Sequence, residues 1–499
     1  MLIINNQTLD FEDIYRVAVR QEKVSLGAKA KAKVEKTRAA IEKAVANNEI
    51  IYGVTTGFGA FKNTAISQKD VAKLQENLIK SHAVGVGAPL DEEIVRGMML
   101  LMANYLSKGH SGVRATVIET LLEMLNKGVH PVIPEKGSVG SSGDLAPSAH
   151  LVLVLLGKGS ACYRGTEYTG AQAMAKAGIT PIKLQAKEGL ALINNTACMT
   201  SIASACMYKA QHLLEVADCS GALSAEALRA TNAAFDEDVH LLKPHEGQLA
   251  VASHLRTLLA GSTMIDPQRI QDQYSVRCMP QIHGAVREAF AYAKKVVNTE
   301  INSVTDNPLI FTDGETIKVV SGGNFHGEPV AIAMDTLGIA MSELANTADR
   351  RIASLLDAAT NFGLPAFLTE NGGLNSGFMI LQYTTASLVS ENKVLTHPAS
   401  VDSVPTSANV EDLVSMGTIG ARKAHVIIQN VIHVLAIECI VAAQAVDFRL
   451  KEKLTLGKGT ASLHKQIRKL VPYFAEDDVY YPYINKVAEH IVKQTLATA

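Results

Sequence analysis

Tryptophan is absent from the 499 residues, and aromatic side chains make up only 5% of them. Large rings are thus too few for a β-sandwich core, whereas the plentiful Ala, Leu, Ile and Val suit interlocked helices. Charge of one sign is also lacking: 47 Lys+Arg stand against 49 Asp+Glu, a formal net charge of -2. Without a polybasic arm or acidic tail, nothing electrostatic favours nucleic acid or an anionic membrane as partner. The six cysteines (Cys162, Cys198, Cys206, Cys219, Cys278, Cys439) lie far apart with no CxxC pair. Free, mostly buried thiols in a reducing compartment are expected, and no metal site. The start, Met1-Leu2-Ile3-Ile4-Asn5-Asn6-Gln7, lacks the charged region and long apolar run of a signal peptide. The greasiest stretch, Val426 to Val446, is interrupted by Gln429, Asn430, His433, Glu438 and Gln444. A membrane span would need ~20 mainly apolar residues. The stretch reads as the core helix of a soluble, cytoplasmic protein.

Length alone gives a soft expectation of about three domains at ~150 residues each. Helical periodicity marks Phe11–Gln21, Ala28–Asn48, Ile94–Leu106 and Val113–Asn126, the last stopped by Lys127-Gly128. The glycine-broken segment Tyr52-Gly53-Val54-Thr55-Thr56-Gly57-Phe58-Gly59 reads as a loop. Short strand candidates lie at Ser160–Tyr168 and Ile182–Leu184. From about Asn195 long helices follow one another: 197–217, 220–232, 280–303, 327–357, 376–394 and 410–447. They exceed the ordinary mean of ~11–12 residues and are apolar on more than one face, so each must pack on several neighbours, other subunits included. The expected fold is mainly α: a long-helix bundle core over residues 111–499, with a smaller mixed N-terminal region over 1–110.

The most informative stretch runs Gly137-Ser138-Val139-Gly140-Ser141-Ser142-Gly143-Asp144-Leu145-Ala146-Pro147-Ser148-Ala149-His150. Gly/Ser-rich segments are usually plain turns. A phosphate-binding loop would need Lys-Ser/Thr after its last glycine, and Asp144-Leu145 follows instead. A hydrolase nucleophile elbow would need a glycine two residues after the serine, a place held by Asp144. A third chemistry remains. The unhindered amide nitrogen of Gly143 can attack the carbonyl carbon of Ser141 and close a five-membered ring. Loss of the Ser141 carbonyl oxygen as water, and of the Ser142 hydroxyl as a second, leaves a methylidene on an imidazolone, a stronger electrophile than any ordinary side chain.

The whole block closely resembles the active-site loop of the histidine/phenylalanine ammonia-lyase family. There an Ala-Ser-Gly triad forms the prosthetic group 4-methylidene-imidazole-5-one. Ser141 stands where alanine is usual, and its side chain would only hang from the finished ring. The resemblance runs through essentially the whole chain. It implies a mainly helical ammonia-lyase-like fold, a homotetramer with shared active sites, a small amino-acid substrate, and no metal or dissociable cofactor.

Further blocks carry the resemblance. Gln271-Asp272-Gln273-Tyr274-Ser275-Val276-Arg277 implies Arg277 as clamp on the substrate carboxylate, a task suited to the flat guanidinium fork. Gln271 and Tyr274 complete that polar wall. A lone arginine is more often a surface salt bridge; the matched block and the apolar neighbours favour the clamp. Glu188-Gly189-Leu190-Ala191-Leu192-Ile193-Asn194 implies Asn194 as hydrogen-bond partner of ring and substrate, with Asn195 where glycine is usual. Tyr52 aligns with the β-proton base; away from the resemblance it would read as a packing tyrosine. An ordinary tyrosine has a pKa near ~10, so as a base it needs a field that favours phenolate. Ser321-Gly322-Gly323-Asn324-Phe325-His326 implies Phe325 over the ring.

Two positions speak to the substrate. Ser81-His82 matches the pair of the histidine-specific branch, which some bacterial tyrosine enzymes share. Glu411, in Ser407-Ala408-Asn409-Val410-Glu411-Asp412-Leu413, is the stronger pointer, because a carboxylate can hold a protonated imidazole. Aromatic branches generally place glutamine there. Val410 replaces the usual glutamine and Leu413 the usual histidine, both in the apolar direction. Histidine deamination to urocanate is the first expectation. Tyrosine or phenylalanine deamination, or a 2,3-aminomutase, is the alternative within the class. An inactive helical scaffold would require loss of Ser142, Gly143, Tyr52, Asn194 or Arg277, all present. A fumarase-like lyase would share the long helices but has no use for the Gly-Ser-Ser-Gly-Asp block.

Overall fold

A computed structural model describes residues 1–47, 49, 51, 56, 70–313 and 316–496. Helices dominate, and local chemistry sets many of their ends. Phe11–Ala18 starts from a capping box in which Asp10 accepts from the Glu12 and Asp13 amides. Ala115–Lys127 stops at Gly128, whose left-handed φ of 77° closes the last turn. Among the described residues six helices run for 17 residues or more: Ala28–Ala46, Ala197–Ala227, Met279–Ile301, Glu328–Leu356, Met379–Leu395 and Gly417–Lys451. The mainly α expectation and its long-helix series therefore hold. The apolar window of Gly417–Lys451 is 83% buried, as in a core helix.

The helix read as 197–217 and 220–232 is one continuous rod, Ala197–Ala227. Asp218, in the gap between those two ranges, sits inside the rod because tertiary partners meet its charge. His254 Nδ1 (3.0 Å), His283 Nδ1 (2.8 Å) and Arg287 Nη2 (2.6 Å) surround the buried carboxylate. Conversely, the last long helix begins at Gly417 rather than 410. Met416, inside the expected range and next to the observed start, is left-handed with φ of 56°, which no α-helix accommodates. Ile182–Leu184 is irregular, whereas the candidate at Ser160–Tyr168 divides into two strands, Ser160–Tyr163 and Thr166–Thr169, paired antiparallel. A second hairpin, Leu309–Asp313 with Thr316–Val320, and the pairing of Val86–Pro89 with Pro134–Lys136 were not foreseen. All six cysteines are free.

Packing divides the chain into two units whose boundaries fall mostly inside long helices. The first comprises Met1–Tyr208, Lys294–Asp335 and Pro398–Arg422. One of its apolar clusters joins Ile41, Ala44, Ile51, Val71, Ala186 and Ile310. The second comprises Lys209–Ala293, Thr336–His397 and Lys423–Ala499. Its interior holds the fully buried pair Arg351–Glu438 at 2.6 Å, with Ser220 and Ser224 donating to the same carboxylate. Such a pair persists because every oxygen of the acid is met.

Candidate active site

The loop at 137–144 is held on all sides within the first unit. Strand Pro134–Lys136 leads into it, and helix Leu145–Leu155 leads out. Gly143 has φ +69°, and a Cβ there would lie 2.1 Å from Asn195 O, so only glycine fits. Gly140 O accepts from Ser415 Oγ at 2.9 Å and from Gly327 N at 3.2 Å, while Val139 O accepts from Met416 N at 2.8 Å. Asp144 is fully buried. Its carboxylate accepts from Thr418 Oγ1 (2.5 Å), Ser138 Oγ (3.0 Å) and Met199 N (2.8 Å), the last in the first turn of Ala197–Ala227. Burial pushes the Asp144 carboxyl up, and those hydrogen bonds pull it back. The loop's shape is thus imposed by its surroundings, as a strained reactive turn requires.

Around this loop the structure gathers several of the expected residues. Asn194 Nδ2 donates to Ser142 O at 2.8 Å. The Glu411 carboxylate accepts from Ser141 Oγ at 2.5 Å, Ser142 Oγ at 2.7 Å and Thr406 Oγ1 at 3.0 Å. His82 ends helix Val71–His82, its ring half-buried, with Nδ1 2.8 Å from Leu78 O. A carbonyl can only accept, so Nδ1 carries the proton and Nε2 stays available to the site. Burial pulls His82 below the usual imidazole range, and the Leu78 hydrogen bond and the Glu411 charge oppose it. Phe325 is half-buried in a segment tied to the loop through Gly327 N and Gly140 O. Val410 and Leu413 are 51% and 61% exposed, unlike the half-buried Glu411 beside them.

A second cluster lies in the other unit. With its amide oxygen turned toward the guanidinium, Gln271 accepts from Arg277 Nη1 at 2.6 Å and Nη2 at 2.7 Å. The guanidinium carbon lies 4.8 Å from the centre of the Tyr274 ring. Asp272, the nearby acid, is engaged elsewhere: it pairs with Arg269 at 2.6 Å and accepts from Thr231 N at 2.9 Å. Arg277 therefore offers its charge beside neutral partners. Tyr52 lies outside the described residues. Asp144, Ser138, Thr406, Ser415 and Thr418 escaped the sequence reading. Asp144 was visible only as a neighbour of the triad; the others bear hydroxyls with no local signature.

A loop that only glycine can complete, gripped by an asparagine and a carboxylate, is built for one backbone conformation. The sequence model of the aromatic amino acid lyases matches residues 9–469. The chain belongs to the aromatic amino acid lyase family. Within this lyase family it is 54% identical to a histidine ammonia-lyase of Alkaliphilus metalliredigens, covering 97% of this chain and 96% of that one. It is 50% identical to one of Chloroflexus aurantiacus, covering 100% and 97%. Histidine ammonia-lyase from Trypanosoma cruzi superposes with TM-score 0.92 at 41% identity, over 99% of this chain and 94% of that one. Phenylalanine aminomutase from Pantoea agglomerans gives 0.94 at 36% identity, over 99% of both.

Proposed function

We propose that this lyase is a histidine ammonia-lyase, removing ammonia from L-histidine without oxidation to give trans-urocanate. The single observation that carries this reading is the Glu411 carboxylate seated on the hydroxyls of Ser141 and Ser142. An anion at that place suits a side chain that can carry a proton near neutral pH, which imidazole does and a phenyl ring does not. The full-length likeness to histidine ammonia-lyases supports it.

The residues present fit a 4-methylidene-imidazole-5-one made from Ser141, Ser142 and Gly143. Position 143 admits no side chain, and Asn194 already holds the Ser142 carbonyl. That group would supply an electrophile for the substrate nitrogen, making ammonia a better leaving group. The rest falls to side chains. Arg277, steadied by Gln271 and Tyr274, grips the substrate carboxylate with its guanidinium fork. Tyr52 Oη takes the β-proton, a role assigned by likeness to the family. Glu411 holds the imidazole and His82 Nε2 adds a polar contact. We further propose a homotetramer with shared sites in the cytoplasm.

One observation favours a second reading. Val410 and Leu413, flanking Glu411 in sequence, are apolar and exposed, as a site for tyrosine or phenylalanine would want. The deciding assay follows urocanate from L-histidine beside coumarate from L-tyrosine and cinnamate from L-phenylalanine. Preference for histidine is expected; preference for an aromatic substrate would overturn the assignment.

A further inference from the structure

The Glu411 carboxylate is held unevenly. Oε2 accepts from Ser141 Oγ at 2.5 Å and from Thr406 Oγ1 at 3.0 Å, whereas Oε1 accepts from Ser142 Oγ at 2.7 Å. These hydroxyls have different fates. The one on Ser142 is the hydroxyl that the proposed dehydration removes; those on Ser141 and Thr406 survive it. We infer that Ser141 and Thr406 are positioning residues that anchor Glu411 by Oε2, leaving Oε1 as the oxygen that receives the substrate imidazole. This rests on the histidine reading above.

The backbone around Thr406 is shaped for the same end. Thr406 N donates to Glu411 O at 2.8 Å and Glu411 N to Thr406 O at 3.3 Å, an isolated antiparallel bridge. Closing it requires three consecutive non-glycine residues, Ser407, Ala408 and Asn409, in the left-handed region. Such conformations are costly and persist where the surroundings demand them. Their result is a threonine hydroxyl set against the acid five residues on. A glutamate otherwise retains several rotatable bonds, and each lost on binding weakens the bound state. Two hydroxyls on one oxygen remove that freedom beforehand. Ser141 gains a purpose in this way: at the place where alanine is usual, its hydroxyl adds a grip that alanine cannot make.

The test compares Ser141→Ala, Ser141→Thr, Thr406→Val, Thr406→Ser and the Ser141→Ala/Thr406→Val pair in the full-length protein. Intact mass reports loss of two waters, melting reports folding, and kcat and KM for L-histidine are taken separately. Calorimetry gives the affinity for urocanate. Ser141→Ala and Thr406→Val should each lower kcat/KM roughly tenfold and the pair about a hundredfold, while dehydration stays complete. Urocanate affinity should fall in proportion, and Ser141→Thr and Thr406→Ser should recover most of the loss. In a Glu411→Ala background the same changes should do nothing further, since their effect passes through that carboxylate. Undiminished losses in that background, or wild-type kinetics in the pair, would overturn the inference alone. A wild-type protein that releases no urocanate would overturn the histidine reading and this inference with it.

Discussion

The loop at 137–144 and the segment at 271–277 both bear residues assigned to the reaction, yet they are built on opposite principles. In the loop each polar side chain, and the Ser142 carbonyl, is already spoken for: Ser141 and Ser142 by Glu411, the Ser142 carbonyl by Asn194, Asp144 by Thr418, Ser138 and Met199. In the segment, Tyr274 is 69% exposed and the Arg277 guanidinium rests on an amide oxygen and a ring face. Arg277 Nε is buried with no hydrogen-bond partner among the described residues. A covalent rearrangement of backbone needs its atoms fixed before anything binds, so the loop is saturated by its own chain. A clamp must instead keep its charge for a carboxylate still to arrive. Pairing Arg277 with Asp272 would have spent it, and Arg269 occupies that acid instead.

Removing the chemistry from the loop while keeping its architecture is the sharpest way to separate the two. Ser142→Ala should fold and assemble, because Asn194 holds a backbone carbonyl and Glu411 retains Ser141 and Thr406. Deamination should fall by roughly four decades or more, equal to about 5 kcal/mol of lost barrier reduction. Intact mass should show no loss of water. An active Ser142→Ala protein would mean that the loop is a well-packed turn and nothing else.

The opposite intervention keeps the clamp's charge and removes its fork. Arg277→Lys should cost roughly one to two decades in kcat/KM, since charge-assisted hydrogen bonds contribute about 1.5–3 kcal/mol and lysine makes one where arginine makes two. Melting should barely change, as lysine keeps the charge and the partners Gln271 and Tyr274 are neutral and exposed. A large loss of stability with intact turnover would recast Arg277 as a structural residue and erase the contrast with the loop.

The same contrast explains what could be read beforehand. Long helices were legible because apolar residues recur at helical spacing and the chain lacks the aromatics for another kind of core. The triad was legible because its chemistry is local: three neighbouring residues carry it. Glu411 and Arg277 were recognisable as blocks, but their contacts were not. Glu411 is 269 positions from Ser142, and the turn that delivers it uses Ser407, Ala408 and Asn409 in conformations that composition does not announce. Continuity through Asp218 was hidden for a related reason: its partners at 254, 283 and 287 lie on other helices. Asp144 shows the limit most plainly. Its neighbours in sequence mark the loop, whereas its function as a hub depends on Met199 and Thr418.

Between loop and substrate stands Glu411, and replacing it tests where the saturated region ends. Glu411→Gln should lower kcat/KM on L-histidine by roughly one to two decades, from loss of a charged hydrogen bond of about 1.5–3 kcal/mol. Any turnover of tyrosine or phenylalanine should fall far less, because a phenyl ring offers the acid nothing and a neutral phenol hydroxyl can donate to the amide oxygen of glutamine instead. Val410→Gln together with Leu413→His should sharpen the preference for histidine. Equal losses on all substrates would make Glu411 a support of the loop rather than a reader of the side chain.

The smallest effect tests the saturation itself. Asn195 stands where glycine is usual, fully buried, and it supports the loop by both backbone and side chain. Its carbonyl accepts from Asp144 N at 2.6 Å, a contact glycine would keep. Its Oδ1 accepts from Ala197 N at 2.8 Å, capping the first amide of Ala197–Ala227, while Nδ2 donates to Leu192 O at 3.1 Å and Ser148 Oγ at 3.3 Å. Asn195→Gly should therefore cost about 1–2 kcal/mol of stability, the value of a lost helix cap and a freer backbone. Some of that loss returns if water enters the space and meets Ser148 and Leu192 O. Activity should stay within about twofold, since the groups on Ser142 and Glu411 are untouched. Thermal unfolding and kcat/KM measured side by side decide the point. A collapse of turnover at unchanged stability would show that the loop is tuned through Asn195 rather than merely braced by it.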